Sequence, residues 1–490
     1  MTSRDNQSIS VVWFKRDLRL QDHYALHAAW KSGDPVLPVY LFEPAIMADS
    51  HYSHRHWRFV WQSLLDMEQQ LRPLNASFHV SYDDALPFFK RLHQHYQRIT
   101  LYSYEEVGLA CTFERDKQLK AWCKSVGVEW KEFPYAGVIR GLTHRKQWLA
   151  NWRKQMCSAP VSTPIHKINW ETNKTLVTRV PATISAELHR PDEHMQLGGE
   201  TQAHQTLVSF IDDRHRSYHT QISSPLKSMR SCSRLSPYLA WGNLSVRQVY
   251  QAITAVKSPL PRSLQAFISR LHWHCHFIQK FESECEQEFR PVNAAYQRFP
   301  YRADEQATQQ FKAWCEGNTG IPMVDACMRS VIKTGYLNFR MRAMLVSFLT
   351  HYLLIDWRRG ALHLAQQFLD FEPGIHYPQF QMQAGVTGTN TLRVYNPVKQ
   401  AQDNDPSGEF IRKWVPEIAH LDIEDLFAPW QIPPLTQLTL DSPLPPRYVN
   451  PVAIPEDIIP PHRDLLWKWR ERDDVRKEAR RVLHRHSNPG

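Results

Sequence analysis

The fold of this chain is decided by a stretch between residues 317 and 397. It opens with GNTGIPMVDA (residues 317–326) and closes with TGTNTLRVYNP (residues 387–397). Between them, apolar residues recur at helical spacing, which predicts one buried helical face that ends at Gly360; these residues are Met341, Met344, Leu345, Phe348, Leu349 and Tyr352. Arg340 and Arg342 stand near the start of this helix, where cations oppose the helix dipole. They are therefore either solvated or held there by a phosphate or a carboxylate.

Several ordered motifs in this region resemble the flavin-binding core of the photolyase/cryptochrome family. They read TGIPMVDACMR (319–329), TGYLNFRMR (334–342), LLIDWR (353–358), DFE (370–372), and TGT followed by RVYNP (387–397). The resemblance implies an N-terminal α/β domain, a C-terminal all-α domain that binds FAD, and light-driven repair of pyrimidine dimers. In that reaction, excited reduced flavin gives an electron to a lesion flipped out of the DNA stack and takes it back.

Length and composition are typical of a globular protein with large cores. The 490 residues suffice for two or three domains, and 42% of them are apolar without a run long enough to span a membrane. Residues 1–10 are polar and lack the apolar segment of a secretory signal. Eight cysteines are too few for a disulfide scaffold. We therefore expect a cytoplasmic protein, and the resemblance implies a monomer that acts on damaged DNA.

The chain is basic and rich in aromatic residues. Its formal net charge is +10 and its pI about 9.1, an excess that attracts nucleic acid before other polyanions. The 17 tryptophans and 22 phenylalanines suit a stacking platform or a planar ligand, although most of them must belong to ordinary cores.

The first 136 residues alternate short apolar runs with helical patterns. The predicted strands are Ile9–Phe14, Val36–Phe42, Ala76–Ser81, Ile99–Ser103 and Val128–Phe133, and the predicted helices are Tyr24–Trp30, His56–Leu71, Ala85–Tyr96 and Phe113–Ser125. This alternation predicts a doubly wound parallel sheet with any ligand at the carboxyl ends of the strands. No Gly-x-Gly-x-x-Gly follows the first strand, which argues against a dinucleotide bound in the usual pyrophosphate turn.

The first strand leads into WFKRDLRLQD (residues 13–22), which is similar to the WFRRDLR-x-x-D opening of the family. The resemblance implies that this domain carries an antenna chromophore, whose identity stays open. Glu105 to Gly108 follow the fourth strand, where family antenna contacts often lie. For Arg16, Asp17 and Arg19 we favour a local salt-bridge cluster that stabilises the sheet edge.

The remaining chain divides into three predicted segments. Residues 137–205 form an interdomain connector, because proline and a Gly198-Gly199 pair replace periodicity between Cys157 and Gly199. Residues 206–430 form the helical FAD-binding domain, and residues 431–490 a proline-rich segment followed by a basic helix. That helix, Arg463 to Arg485, holds nine Lys/Arg against five Asp/Glu, a balance that favours a solvated helix over a DNA-binding arm.

SCSRLSPYL (residues 231–239) resembles the family's TSRLSPYL signature, which binds the flavin diphosphate. A serine-rich turn before a helix started by proline offers N–H donors and a positive dipole end to phosphate. The implied contacts are Cys232, which replaces the usual threonine, and Ser233, Arg234, Leu235 and Ser236. Tyr218 and the Ser223-Ser224-Pro225 turn lie where the family places further phosphate and adenine contacts.

The loop Asp370-Phe371-Glu372 occupies the position of the family's acidic loop beside the flavin ring. Arg342 matches its basic partner, and such a pair would tune the uptake of protons and electrons by the ring. His376 stands at the position next to the flavin N5, if one residue is inserted between Phe380 and Thr387. A histidine there would donate to N5 or control its protonation.

The lesion-facing helix departs from the family pattern. Family enzymes for cyclobutane dimers carry a motif like E-L-x-W-R, whereas this chain reads RLHWHCH (residues 270–276). Trp273, which would stack on the lesion, is kept. Arg270 replaces the glutamate that hydrogen-bonds the thymine carbonyls, and an arginine still donates to carbonyls. Trp273, Arg270 and His274 are therefore assigned to the catalytic site, and Trp273 also to the cofactor and DNA contacts.

The tryptophan relay that feeds electrons to the flavin in family members is interrupted. Only its middle member is present, as Trp357; the proximal position holds Phe380 and the distal one Asp304. Trp357 is either a relay residue or a packed core residue, and Tyr377, Tyr395 or Trp314 would have to supply a detour.

DNA contacts are expected from Phe339, Arg340, Met382 and Arg393, which would line the entrance to the site. No metal is expected, because His272, His274 and His276 point in diverging directions on a helix and no cysteine follows Cys327. Two alternatives to repair stay open: a cryptochrome-like blue-light photoreceptor, and a flavin-containing nucleic-acid binder without repair chemistry.

Overall fold

The computed structural model describes residues 5–172, 177–256 and 259–486. The chain forms two compact units. The sheet unit contains Met1–Asp212, Leu235–Cys285 and Leu369–Gly374, and the helical unit contains Asp213–Arg234, Glu286–Phe368 and Ile375–Gly490. These units differ from the linear domains expected from the sequence, because segments distant along the chain join the sheet unit and the tail after residue 431 belongs to the helical unit.

Five parallel strands form the centre of the sheet unit: β1 (Asp5–Phe14), β2 (Val36–Leu41), β3 (His79–Ser81), β4 (Tyr96–Tyr104) and β5 (Glu129–Phe133). Their order is β3-β2-β1-β4-β5, so the winding reverses between β1 and β4. The predicted parallel sheet is confirmed, and each predicted strand overlaps an observed one. All six residues of β2 are buried, which explains its uninterrupted apolar run.

Nine helices of eight or more residues lie in the described part of the sheet unit: α1 (Tyr24–Lys31), α2 (His54–Leu71), α3 (Ala85–His95), α4 (Ala110–Val126), α5 (Trp148–Cys157), α6 (Ala182–His189), α7 (Glu200–Asp212), α8 (Val246–Thr254) and α9 (Arg262–Ser283). The four helices predicted between the strands correspond to the first four of these. Helix α6 lies inside the predicted connector, which is therefore only partly irregular.

The helical unit contains α10 (Glu305–Glu316), α11 (Pro322–Thr334), α12 (Phe339–Ser347), α13 (Trp357–Gln367), α14 (Pro373–Gln383, whose first two residues belong to the sheet unit), α15 (Pro397–Asn404), α16 (Pro455–Arg470) and α17 (Asp473–His486). The expected combination of a parallel-sheet α/β unit and an all-α unit is confirmed. Within residues 5–172, 177–256 and 259–486, no helix has both the length and the apolar character that a membrane span requires.

The predicted end of the central apolar helix at Gly360 is wrong. Helix α12 ends at Ser347, Phe348–Tyr352 continue as a π-helix, and Gly360 lies inside α13. A Cβ atom at Gly360 would lie 2.2 Å from the Leu349 side chain and 3.3 Å from those of Phe380 and Trp314. The glycine thus permits a close approach of helices and does not terminate one.

The basic tail forms two helices where the sequence predicts one. Helix α16 ends at Arg470 and α17 begins at Asp473. The carboxylate of Asp474, in the first turn of α17, pairs with Arg472 at 2.7 Å. Neither glycine nor proline marks this break, so hydrophobic periodicity gives no signal of it.

Candidate functional site

The acidic loop 369–374 is held to the end of β1 by Arg16. The Arg16 Nη2 lies 3.1 Å from the Glu372 Oε2 and donates to the Phe371 carbonyl at 2.7 Å. Its Nε donates to the Ala240 carbonyl at 3.1 Å, and its guanidinium lies 5.2 Å from the Trp241 ring centroid. Arg16 is thus fixed by four groups, and the loop cannot move without breaking a buried ion pair.

Arg16 does not belong to the local cluster expected from the sequence. Asp17 pairs with His23 at 2.7 Å, and Arg19 donates to the Gly242 carbonyl at 2.9 Å. Only Arg16 reaches the acidic loop, 355 residues further along the chain. Its side chain is 17% exposed and that of Glu372 only 3% exposed. Burial raises the pKa of Glu372, and the charge of Arg16 opposes that rise.

The three loop residues face different surroundings. The ring of Phe371 is buried against His51 and Tyr52, with ring centroids 5.8 and 5.7 Å apart. A cofactor contact from Phe371 would therefore come from its backbone. The loop ends at Gly374, where a Cβ atom would lie 2.9 Å from the Ile278 Cα of α9. This close approach brings the acidic loop against the lesion-facing helix within the sheet unit.

Helix α9 presents the predicted lesion residues on its surface. Trp273 is 45% exposed and packs edge-on against His276, with centroids 5.3 Å apart. Arg270, one turn earlier on the same side of the helix, is also exposed. Burial, assisted by the positive charge of Arg16, lowers the pKa of His274 to about 4. His274 is therefore neutral at physiological pH.

The predicted phosphate turn is flanked by a second arginine that sequence reasoning missed. Arg214 donates to the Ser233 carbonyl at 3.0 Å, to the Arg230 carbonyl at 3.1 Å, and to the Cys232 carbonyl. Arg234, which has a left-handed φ of 62°, places its guanidinium 3.5 Å from the centroid of Tyr336. Both guanidiniums belong to the helical unit.

These two arginines suit a diphosphate. Burial lowers the pKa of Arg214, and the charge of Arg234 lowers it further. Two cations that repel each other beside a serine-containing turn gain stability when an anion lies between them. The helix after the turn is short and spans only Ser236–Ala240, so the arginines carry more of the charge than its dipole would.

Asn338 fixes the neighbouring turn at Ser223. Its Nδ2 donates to the carbonyls of Ile222 and Ser223 at 2.9 and 2.8 Å, while its buried Oδ1 has no partner among the described residues. Tyr218, which starts the short helix before this turn, is 5% exposed. The predicted phosphate and adenine contacts of the helical unit thus lie on a backbone that side chains hold in place.

Arg342 and His376 are the two residues of the helical unit that are predicted from the sequence to lie beside the flavin ring. Arg342 donates from Nε to the Leu337 carbonyl at 2.7 Å and stacks on Phe368 at 3.8 Å. The other carboxylate of the acidic loop, Glu372, pairs with Arg16. The Nε2 of His376 lies 2.8 Å from the Ala361 carbonyl, so it carries the proton of the neutral ring. A neutral His376 therefore accepts at Nδ1, and only the cation would donate to a flavin nitrogen.

The interrupted relay positions lie in an aromatic core. Trp357 is fully buried, 6.3 Å from Tyr377 between ring centroids, and Phe380 lies 5.2 Å from His376. Trp314 is also fully buried and meets Phe380 at Gly360. The third relay position, Asp304, caps α10 by accepting from the Ala307 N–H at 2.8 Å, so it has a structural role there.

The predicted DNA contacts of the helical unit lie on its surface. Phe339 is 46% exposed, and Arg340 and Arg393 are exposed. The guanidinium of Arg340 lies 5.9 Å from the ring of Tyr395, next to the loop that contains Arg393. Met382 is half-buried. Exposed aromatic and cationic side chains on one unit suit a nucleic-acid strand.

The carboxyl ends of β1, β2 and β4 enclose a cavity of about 50 Å³. Arg115 pairs with Glu43 at 2.6 Å and with Glu106 at 2.9 Å, and Lys15 pairs with Asp116 at 2.9 Å. Burial alone would raise the pKa of Glu106, but Lys15 and Arg115 outweigh it and lower that pKa to about 2. A space of this size holds one or two waters. Charged residues therefore line the position where antenna contacts are predicted from the sequence.

Two family models match the chain. The FAD-binding domain of DNA photolyase matches residues 267–456, and the DNA photolyase domain matches residues 10–145. The first model carries the cofactor assignment, so the cofactor of this family of domains, FAD, is the cofactor of this chain.

The chain is similar to curated and solved proteins over nearly their whole length. It is 29% identical to the deoxyribodipyrimidine photo-lyase of Vibrio cholerae, over 86% of this chain and 93% of that protein. Its fold matches a cryptochrome from Synechocystis sp. PCC6803 with a TM-score of 0.81 at 23% identity, over 94% of this chain and all of that one. It also matches an archaeal photolyase from Sulfolobus tokodaii that holds two FAD molecules, with a TM-score of 0.77 at 22% identity, over 94% of this chain and all of that one. Because both domain models match in their order along the sequence, this chain belongs to the photolyase/cryptochrome family.

Proposed function

We propose that this chain is a light-driven, FAD-dependent enzyme that splits pyrimidine dimers in DNA, a photo-lyase of the deoxyribodipyrimidine type. The observation that carries the proposal is the exposed Trp273 on α9, the helix against which the acidic loop packs at Gly374. A large aromatic ring that is 45% exposed and fixed on a 22-residue helix is a platform on which a flipped base stacks.

The residues of the chain would hold the cofactor and the lesion in complementary ways. Reduced FAD, when excited by light, supplies an electron to the lesion and receives it back. Arg214 and Arg234 would bind its diphosphate, and the Arg16–Glu372 pair would fix the loop beside its ring. His274, being neutral, adds no positive charge of its own on the lesion-facing helix.

Arg270 would act on the lesion itself. The carbonyl oxygens of a dimer gain negative charge once an electron arrives, and a fixed donor stabilises that state more than the ground state. Arg270 provides a permanent cation with several N–H donors one helical turn from Trp273. Its exposed side chain makes no ion pair or hydrogen bond with any residue in the described ranges, so it is available to a ligand.

The surface of the helical unit supports DNA as the partner. Arg340 and Arg393 would meet the phosphates that flank the lesion, and Phe339 and Met382 would contact the strand at the entrance. We place the enzyme in the cytoplasm as a monomer, in keeping with its sparse cysteines and its complement of exposed cations.

A photoreceptor that signals by light-driven reduction fits less well. Phenylalanine is very hard to oxidise, and Phe380 stands where the family's electron donor to the flavin stands. Trp357, the one relay tryptophan that is kept, and Trp314, a candidate substitute donor, are both fully buried. Repair does not need this relay once the flavin is reduced, so loss of the relay harms a sensor more than an enzyme.

The experiment is to incubate purified protein, reduced in advance, with thymine-dimer oligonucleotides in single- and double-stranded form under blue light. We expect restored thymines in the light, none in the dark, and a large loss of yield in Trp273→Ala. A protein that binds FAD but leaves the dimers intact would be a photoreceptor or a flavin-containing binder.

A further inference from the structure

The two C-terminal helices, α16 and α17, contact the loop 387–390, which lies beside the predicted DNA entrance. Asn293 Nδ2 bridges the Val475 carbonyl of α17 at 3.0 Å and the Thr387 carbonyl of the loop at 3.3 Å. A Cβ atom at Gly388 would lie 3.3 Å from the Ala479 Cβ. Arg470, at the end of α16, donates to the Asn390 carbonyl. The loop 387–390 is therefore packed directly on α17.

This loop is continuous with the surface that carries the predicted phosphate contacts. Arg393 follows it by three residues, and Arg340 lies over Tyr395 at 5.9 Å. All of these residues belong to the helical unit. Helix α17 thus lies at the edge of the surface that contains Arg340 and Arg393.

The outer side of α17 carries three cations that form no ion pair with the described residues, although Asp473 lies on the same side one turn earlier. Arg476, Lys477 and Arg480 are exposed, and their charged groups make no ion pair or hydrogen bond with residues 5–172, 177–256 or 259–486. Of the other two arginines of this helix, Arg481 is occupied by Glu478 and by the Val292 carbonyl, and Arg485 also has a partner. At about 100° per residue, the three free cations fall within a sector about 100° wide, away from the buried Val475 and Ala479.

We infer that this α17 surface binds the phosphate backbone of DNA beyond the lesion, as an extension of the entrance surface. The inference rests on the proposed function, and it adds a contact that no part of the site described above requires. The 14 residues of α17 span about 21 Å, which corresponds to about six base pairs of duplex. Phosphate contacts carry no sequence information, so this contact would be independent of the lesion.

The test compares R476Q/K477Q/R480Q with a matched control, K90Q/R98Q/K124Q. The control removes the same charge from three exposed cations of the sheet unit that are unpaired within the described part of the chain. The probes are a duplex of about 30 base pairs with a central thymine dimer, the same duplex undamaged, and a dimer-containing strand of about six nucleotides. Circular dichroism first establishes that each variant is folded.

For the α17 variant, we expect binding to both long duplexes to weaken about tenfold or more near 0.1 M salt. The slope of log K against log salt should fall by between two and three, while the control stays close to the wild type. Binding of the short strand and the splitting yield of bound dimer should not change. Equal slopes for wild type and the α17 variant, or equal weakening on the short strand, would overturn the inference. A failed repair reaction in the wild type would instead refute the proposed function.

Discussion

Replacing Arg16 by methionine removes the cation that holds the acidic loop. The side chain of Glu372 is 3% exposed and would keep a carboxylate in a buried site without its partner. Breaking a buried ion pair from one side costs about 3–5 kcal/mol, much of it the penalty of the charge left behind. The lost hydrogen bonds to the carbonyls of Phe371 and Ala240 act in the same direction. We therefore expect a destabilisation of about 3–5 kcal/mol at pH 8.

The sign of the pH dependence follows from Glu372. Burial raises its pKa, and in the variant the charge of Arg16 no longer opposes that rise, although the hydrogen bond from the Gly374 N–H still does. An acid whose folded pKa is raised contributes stability that is fully present below its unfolded pKa and is lost as the pH rises through the folded pKa. The deficit of Arg16→Met should therefore be smallest near pH 5 and should grow toward pH 8. The double variant R16M/E372Q removes both charges and should recover much of the loss.

The assay is urea unfolding of four proteins, the wild type, both single variants and the double variant, followed by circular dichroism at pH 5 and pH 8. Flavin fluorescence serves as a second probe, because release of the loop should change the environment of the bound ring. An Arg16→Met variant that is equally destabilised at both pH values would refute the reasoning. So would a double variant whose loss equals the sum of the two single losses, because the pair would then have no coupling energy.

Three further predictions follow from individual side chains. Burial raises the pKa of Glu200 to about 7 despite hydrogen bonds from the N–H groups of Leu20 and Gln21. The free energy of unfolding should therefore fall by about 3 kcal/mol as the pH rises from 4.5 through 7. Glu200→Gln should remove this pH dependence in urea titrations, and an unchanged dependence would contradict the assignment. Arg270→Ala should lower dimer splitting per bound complex by about tenfold, equivalent to about 1.4 kcal/mol, in single-turnover measurements. If it weakens binding of damaged and undamaged strands equally and leaves the yield intact, Arg270 is a phosphate contact. Phe380→Trp should speed flavin photoreduction, measured by transient absorption, because the new ring would lie beside Trp314 at Gly360. Adding Trp314→Phe to this variant should remove the gain in rate. A gain that persists would exclude Trp314 as the electron donor.

The centre of the sheet could be predicted because a strand such as β2 is buried on both faces and reads as an uninterrupted apolar run, whereas β5 is only partly buried. The helices between them have regular periodicity and the expected bounds within a few residues. The π-helix at Phe348–Tyr352 could not be foreseen, since its residues keep the apolar spacing of an α-helix while the hydrogen bonding changes. The break between Arg470 and Asp473 carries no glycine or proline signal either.

The candidate site was predicted where it depends on short contiguous motifs and missed where it depends on distant pairs. Trp273 and the loop 370–372 were singled out from contiguous motifs, and the structure shows Trp273 exposed and the loop packed at Gly374 against the same helix. The partner of Glu372 was not, because Arg16 follows β1, hundreds of residues away, and its charge pattern is equally compatible with a local cluster. Arg214 was missed for a similar reason. Its hydrogen bonds are to backbone carbonyls, which every residue has, so the sequence does not indicate its partners.

The measurement that tests the central claim most directly is multiple turnover under blue light. Protein with reduced FAD is mixed with a large excess of thymine-dimer oligonucleotide, and restored thymine is counted per protein molecule as illumination proceeds. The account predicts many dimers split per protein in the light and none in the dark, with the yield lost in Trp273→Ala while FAD content stays the same. A fully loaded, folded protein that splits no dimer in either strand form under illumination would contradict it.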